Sequence, residues 1–435
     1  METYSTYESL RQHFEALARA GYFKIVMKDV SRTKRLLHDF YRSVVWFLVI
    51  LYNIQHVISV FQARGDTGKL ADTLFILLTT LGCLGKQAAF NLRSRRIERL
   101  LSIVNGPLFA ATTPHDIEVL KQNALNMSRI LKLYQVSVIT CGTTMAIFPF
   151  FNRAQGKQVQ FTGYVPIDTK SPTIFTIILL YMTFSVTFQG YANVSQDCTI
   201  VAFYAVARVQ IQMLRYNLEH LADGSVEEDK RIYLVKNGVG DDQKGTSLEQ
   251  GGLRVYRANE FMTNGNFEKN QDNNMLNEDK SGVLQRRLGK CVEHYRQIAW
   301  FCKEIESIFF EALFFQFLIM AWVICMTVYK IVGLNLLSVE FVSMLAYLMC
   351  ILAQLFLYCY YGTQFKNESG YINQSVYFSN WMSLSPAFRR QLLVIMEYCL
   401  PPITPSIAYV VPMTLETFIS VLRSSYTLFT VLDRQ

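Results

Sequence analysis

The amino-acid sequence predicts an all-α membrane protein with seven transmembrane helices, an intracellular N-terminus and an extracellular C-terminus. Of its 435 residues, 51% are hydrophobic and only 17% charged. Mean hydropathy is +0.18, which over this length implies apolar surface facing lipid. Seven mostly apolar runs of about 20 residues recur, the length that crosses the hydrocarbon layer at about 1.5 Å per residue. Lys and Arg crowd alternate connecting segments, and such segments resist translocation.

The runs are 43–61, uncharged and holding Trp46; 70–90, with Asp72 and Lys86 near its ends; 133–151; 171–204; 312–329; 341–365; and 412–432, the least hydrophobic. Arg11, Arg19, Lys24, Lys28, Arg32, Lys34 and Arg35 precede the first run, and Arg93, Arg95, Arg96, Arg99, Lys121 and Arg129 lie between the second and third. The opposite side offers only Arg64, Lys69, Arg153, Lys157 and Lys170. The N-terminus is therefore expected in the cytoplasm and the C-terminus outside, the reverse of a G-protein-coupled receptor. The sequons at Asn126, Asn193, Asn367 and Asn373 then all fall in the membrane or cytoplasm, and no Cys falls in an outside loop.

This topology divides the chain into a cytoplasmic segment, 1–42; spans one to four, 43–204; a cytoplasmic connection, 205–311; spans five and six, 312–365; a cytoplasmic region, 366–411; and the last span with a short tail, 412–435. In the long connection, Val209, Met213, Leu214, Leu218 and Leu221 continue the helical spacing of span four. Leu284, Leu288, Cys291, Tyr295, Ile298 and Cys302 form a matching lead-in to span five. Between them, 223–282 is rich in Gly, Asn, Asp and Lys and reads as disordered, either a regulatory segment or, the favoured reading, a spacer.

Several function classes are excluded. A net charge of +8, from 42 basic and 34 acidic residues, is too mild for a nucleic-acid-binding face. The nine Cys form no C-x-x-C pair and no metal-ligand spacing with His. Gly238, Gly240, Lys244, Gly245 and Thr246 stand in the wrong order for a phosphate loop and follow no strand. No H-E-x-x-H or G-x-S-x-G occurs, so no residues for catalysis and no cofactor are implied. The runs do not split into the inverted halves of a secondary transporter.

Ionisable residues concentrate in the last span, where Glu416 and Arg423 are costly unless they meet protein or water. Two readings stand: a helix bordering an aqueous path, or a Glu416 that snorkels while Arg423 makes an interhelical pair. At about 100° per residue, Ser420, Ser424, Thr427 and Val431 share one sector of about 60°. Hydroxyls leading to one branched apolar residue suit a wetted cation path closed by dewetting at Val431. Arg423 sits about 70° off that face, the place for a subunit contact.

The chain resembles the insect odorant receptors over most of its length. The resemblance is sharpest at Tyr377, Ser379 and Trp381, at Pro402, and along 415–432 with Ser424, Ser425, Tyr426, Thr427, Leu428 and Phe429. Q-L-F-L-Y-C-Y-Y-G from Gln354 to Gly362 is similar to the family's sixth span, and Asp197 with Gln210, Gln212 and Leu218 to its fourth. The resemblance implies a tetrameric, ligand-gated, non-selective cation channel assembled with the shared odorant receptor co-receptor. It implies cytoplasmic extensions of spans four to six that meet a helix, here 377–398, as an intersubunit anchor with Tyr377 and Trp381 as contacts. Val431 resembles the gate position. The implied pocket for a small volatile odorant, at the outer depth of the bundle, holds Phe75, Leu78, Thr144, Met145, Phe148, Tyr181, Met182, Ser185, Val342 and Leu345. The long insertion resembles the co-receptor, whereas the ending L-R-S-S-Y-T-L-F-T-V-L resembles an odorant-specific subunit. The alternatives are a metabotropic seven-helix chemoreceptor and a gustatory-type receptor channel. The expected location is the plasma membrane of a sensory dendrite.

Overall fold

All seven apolar runs fold as helices in a computed structural model that describes residues 4–24, 31–65, 67–111, 113–154, 161–166, 171–221, 265–333, 338–407 and 409–433. The helices are α1 (Glu8–Arg19), α2 (Arg32–Gln62), α3 (Thr67–Leu92), α4 (Ser94–Val104), α5 (Pro114–Ala154), α6 (Pro172–Glu219), α7 (Gly265–Val332), α8 (Val339–Gly370), α9 (Ile372–Phe378), α10 (Pro386–Tyr398) and α11 (Leu415–Asp433). Among the described residues, five segments are long and apolar enough to cross a membrane: Arg32–Gly65, Thr73–Leu92, Pro172–Glu219, Gly282–Val332 and Phe341–Phe378. The third and seventh runs are helical too, within α5 and α11, where several side chains lie outside the described residues.

The chain divides into two units. The first comprises Met1–Ile211, Gln297–Ser369 and Pro402–Gln435, and the second Gln212–Arg296 and Gly370–Pro401. Residues of helices α6 and α7 belong to both.

In the first unit, two amphipathic helices that the search for apolar runs passes over complete the packing. Helix α1 buries Leu10, His13, Phe14 and Leu17, and α4 buries Ile97, Leu100, Leu101 and Val104, each at i, i+3, i+4, i+7 spacing. Phe14 meets Phe23 and Phe203 with ring centroids 5.3 and 6.0 Å apart. Gln210 donates to the Thr6 hydroxyl and the Phe109 carbonyl at 3.2 and 3.1 Å. Arg93 donates to the Ser307 carbonyl and to Glu311 at 2.9 and 2.6 Å, and Arg96 pairs with Glu304 at 2.7 Å, so the basic group after α3 is tied to α7. Helix α5 starts on a reciprocal cap, the Asp116 amide donating to Thr113 Oγ1 at 3.1 Å and the Thr113 amide to Asp116 Oδ2 at 3.4 Å.

Before α11 the chain makes a two-stranded antiparallel hairpin, β1 (Ser406–Ile407) with β2 (Val411–Pro412), turning through Tyr409 at φ 57°. Glu306 of α7 holds it by accepting from the Ser406 amide at 2.7 Å. The Leu415 amide donates to Thr363 Oγ1 on α8 at 2.9 Å, which fixes where α11 begins.

In the second unit two expectations are corrected. Residues 377–398 do not form one helix: α9 ends at Phe378, Ser379 is extended (φ −66°, ψ 158°), a 3-10 turn covers Trp381–Ser383, and α10 begins afresh. The break follows from Pro386 at the first helical position and from Ser385, whose hydroxyl accepts from the Phe388 amide at 3.4 Å. Helix α7 begins at Gly265, so 265–282 is helical rather than disordered, because adding a turn to an existing helix costs less than nucleating one. The rest of the insertion, 222–264, lies outside the described residues. Here Arg215 donates to Ser375 Oγ at 3.0 Å, and Tyr295 packs edge-on against Tyr398.

His13 gives α1 a pH dependence. It is 1% exposed, and burial pushes its pKa down to about 4. The folded state therefore holds it neutral, and the stability this lends is complete above the unfolded value near 6.5 and is lost as pH falls towards 4. Hydrogen exchange should show α1 opening on going from pH 7 to pH 5, and His13→Leu should remove most of that acid sensitivity.

Candidate functional site

Helices α2, α3, α5, α6 and α8 of the first unit line a partly open cavity of ≈ 300 Å³. Each long helix presents one stripe to it: Phe75, Thr79 and Cys83 from α3; Tyr134, Val138 and Cys141 from α5; Met182, Val186, Gln189 and Asn193 from α6; Tyr347, Ile351 and Gln354 from α8. These spacings of three and four residues are one face of a helix. Tyr52 of α2 completes the wall. Phe75 and Tyr347 have ring centroids 4.9 Å apart, and their contact is braced by a Thr79 Oγ1 to Tyr347 Oη hydrogen bond of 3.2 Å. Tyr134 donates to the Cys350 carbonyl at 2.6 Å, fastening α5 to α8.

One end of the cavity abuts a buried ion pair. Lys86 and Asp197 are 0% and 2% exposed and in direct contact. Tyr358 Oη donates to Asp197 Oδ1 at 2.7 Å, and the Gln354 amide donates to Oδ2. A buried carboxylate needs such company, since its attraction to one cation offsets desolvation only when its remaining lone pairs are met. Three helices, α3, α6 and α8, are thereby joined at one point. Both partners stand as charges inside apolar runs, a signal that could have found them although neither was expected as a site residue.

Of the residues expected in the pocket, Phe75 and Met182 line the cavity. Leu78, Thr144, Tyr181 and Ser185 are half-buried outside its lining; Thr144 donates to the Cys141 carbonyl at 2.8 Å and Tyr181 to Gln55 at 3.2 Å. Val342 and Leu345, 59% and 42% exposed, lie on the outer face of α8, because the inward stripe is set by Tyr347, Ile351 and Gln354. The side chains of Met145 and Phe148 lie outside the described residues. The polar lining residues Thr79, Gln189, Asn193 and Gln354 were not expected in the pocket, since a polar residue within an apolar run does not show from sequence which face of its helix it occupies.

On α11, Ser420, Ser424 and Thr427 are exposed together, and Ser425 on the other side donates to the Ala321 carbonyl at 3.1 Å. The Ser424 and Thr427 hydroxyls fold back onto the Ser420 and Arg423 carbonyls at 2.9 and 3.0 Å. Arg423 is exposed, and the Val431 side chain lies outside the described residues. Tyr377 is exposed, and Trp381 is half-buried.

Comparison with known proteins gives a consistent result. The chain is 20% identical over 409 residues to odorant receptor Or1 of Anopheles gambiae, covering 92% of this chain and 90% of that one. It is 21% identical over 461 residues to the odorant receptor coreceptor of Harpegnathos saltator, covering 95% and 94%. The fold is similar to that of the insect olfactory receptor OR5 from Machilis hrabei, solved in complex with eugenol, with a TM-score of 0.74 at 13% identity over 98% of this chain and 97% of that one. Residues 66–426 match the family described as 7tm Odorant receptor. A helical, lipid-suited chain with a cavity among its helices and this match belongs to the insect 7tm odorant receptor family, transmembrane proteins of olfaction and not enzymes.

Proposed function

We propose that the chain is the odorant-binding subunit of a heterotetrameric, ligand-gated, non-selective cation channel in the plasma membrane of a sensory dendrite, assembled with the odorant receptor co-receptor. The cavity carries this reading: ≈ 300 Å³, walled by Phe75, Met182, Ile351 and other apolar side chains, it suits a small, weakly polar volatile molecule held by dispersion and shape. Seven spans with a cytoplasmic N-terminus follow from the distribution of basic residues. The ending from Leu422 to Leu432 supports the odorant-specific role over that of the co-receptor.

In this reading the exposed hydroxyl face of Ser420, Ser424 and Thr427 borders the ion path, and Val431 closes it. Arg423 faces a neighbouring subunit. The exposed Tyr377, Phe378, Leu393, Val394 and Tyr398 of the second unit, with Trp381, supply the apolar side chains for the anchor contact. Odorant opens the channel only through higher affinity for the open arrangement.

The test is current recording from cells expressing the chain with and without the co-receptor across a broad odorant panel. Dose-dependent current that needs the co-receptor and persists under G-protein blockade is expected, and its absence across the panel overturns the reading. Val431→Ala should raise basal current; if basal current and dose response both stay unchanged, Val431 is not the gate.

A further inference from the structure

The cavity is graded along its length. On α6 the stripe runs from Leu179, Met182 and Val186 to Gln189 and Asn193, and its next position is Asp197. On α8 it runs from Tyr347 and Ile351 to Gln354, and its next position is Tyr358. Both stripes pass from apolar to amide before reaching the ion pair, so polar capacity gathers at that end.

Part of this capacity is already used. The Gln354 amide is engaged by Asp197, and the Lys86 ammonium is engaged there too. Gln189 is different: it is 3% exposed, and neither Oε1 nor Nε2 has a hydrogen-bonding partner among the described residues. The same holds for Asn193 Oδ1, one helical turn further along the same stripe. An amide kept out of water and unpaired is costly, and native interiors rarely tolerate one without a purpose.

We propose that Gln189, assisted by Asn193, is a polar subsite for a ligand bearing a hydroxyl group, a small alcohol or phenol. Its O–H donates to Gln189 Oε1 or Asn193 Oδ1, and its oxygen accepts from Gln189 Nε2. Its apolar body lies among Phe75, Met182 and Tyr347. The unpaired set contains both donor and acceptor capacity, and a hydroxyl is the smallest volatile group that meets both. A ketone or ester offers acceptors only. A carboxylate finds no available cation, since Lys86 is committed to Asp197, whose negative charge lies beyond Gln354.

This inference rests on the cavity being the odorant site, and the experiment separates the two. The chain is co-expressed with the co-receptor and challenged with primary alcohols and phenols, each paired with its methyl ether, alongside ketones, esters and alkanes of matched size. The hydroxyl compounds should act at concentrations about tenfold or more below their ethers, because a site built to hydrogen-bond a hydroxyl rejects the analogue that lacks one. Gln189→Leu should weaken the hydroxyl compounds and close that gap to within about threefold while leaving the ethers nearly unchanged. Currents in which alcohols and ethers are equivalent on the unaltered chain overturn the inference and leave the odorant site intact. A gap that persists in Gln189→Leu, or in Gln189→Met should the leucine variant fail to reach the surface, also overturns it, by placing the hydroxyl contact elsewhere. No current from any compound removes the cavity reading itself.

Discussion

Asp197→Ala should destabilise the folded chain by about 3–5 kcal/mol, because it leaves the Lys86 ammonium fully buried without its counter-charge. The loss should appear as a markedly lower Tm in detergent and as reduced surface abundance. The effect is specific to breaking the pair. Replacing both partners by apolar residues of similar volume, Lys86→Met with Asp197→Leu, should recover most of the stability, since neither desolvated charge then remains. A single Asp197→Ala variant as stable as the unaltered chain would mean that Lys86 has access to water or another acceptor. The double variant also asks whether the pair serves more than stability: if it folds but responds poorly to odorant, the junction of α3, α6 and α8 has a part in transmitting occupancy.

Gly362→Ala should be the second severe substitution. A Cβ at Gly362 would overlap the Met413 carbonyl oxygen and lie 2.9 Å from the Met413 Cβ. The neighbour is backbone and has nowhere to go: Met413 is fully buried, and its amide already donates to the Pro405 carbonyl at 2.8 Å. Residue 363 then bonds the first amide of α11, so the strain is delivered to the base of the proposed pore helix. Overpacking of this kind costs about 1–3 kcal/mol or more, and basal current should change along with stability. Gly289→Ala is the control: nothing lies within 4 Å of its Cβ position, and in a helix interior it should be neutral or stabilising by up to about 1 kcal/mol. Equal behaviour of the two variants would show that α8 and the segment before α11 can separate freely.

Hydropathy located the helices well because length and apolar content suffice to mark a span. Each of the seven runs is helical over most of its length, the last only from Leu415 onward, and the fourth continues through Ala205 to Glu219 as its spacing indicated. Which face of each helix looks inward was not legible. In 341–365 apolar residues occur all round, so nothing separates Val342 and Leu345 from Tyr347 and Ile351 until neighbouring helices choose the register. Helices α1 and α4 had the opposite character. Their apolar stripes are clear, but their mean polarity hides them from a search tuned to membrane spans. The resemblance placed an anchor near Trp381 without revealing that Pro386 divides it. Lys86 was read only as a charge near the end of a run and Asp197 only through the resemblance, so their pairing in the interior was not legible, and neither was the role of the amides beside them.

The docking of α1 also bears on how the chain is made. Thr6 finds its partner at Phe109, and both meet Gln210, 204 residues downstream of Thr6. At about 5–20 residues per second of synthesis, α1 waits roughly 10–40 s before its site exists. Over that interval its apolar face, Leu10, Phe14 and Leu17, lacks the partners that cover it in the finished fold. Biogenesis thus imposes a holding period on α1, which cannot dock until Gln210 has been synthesised.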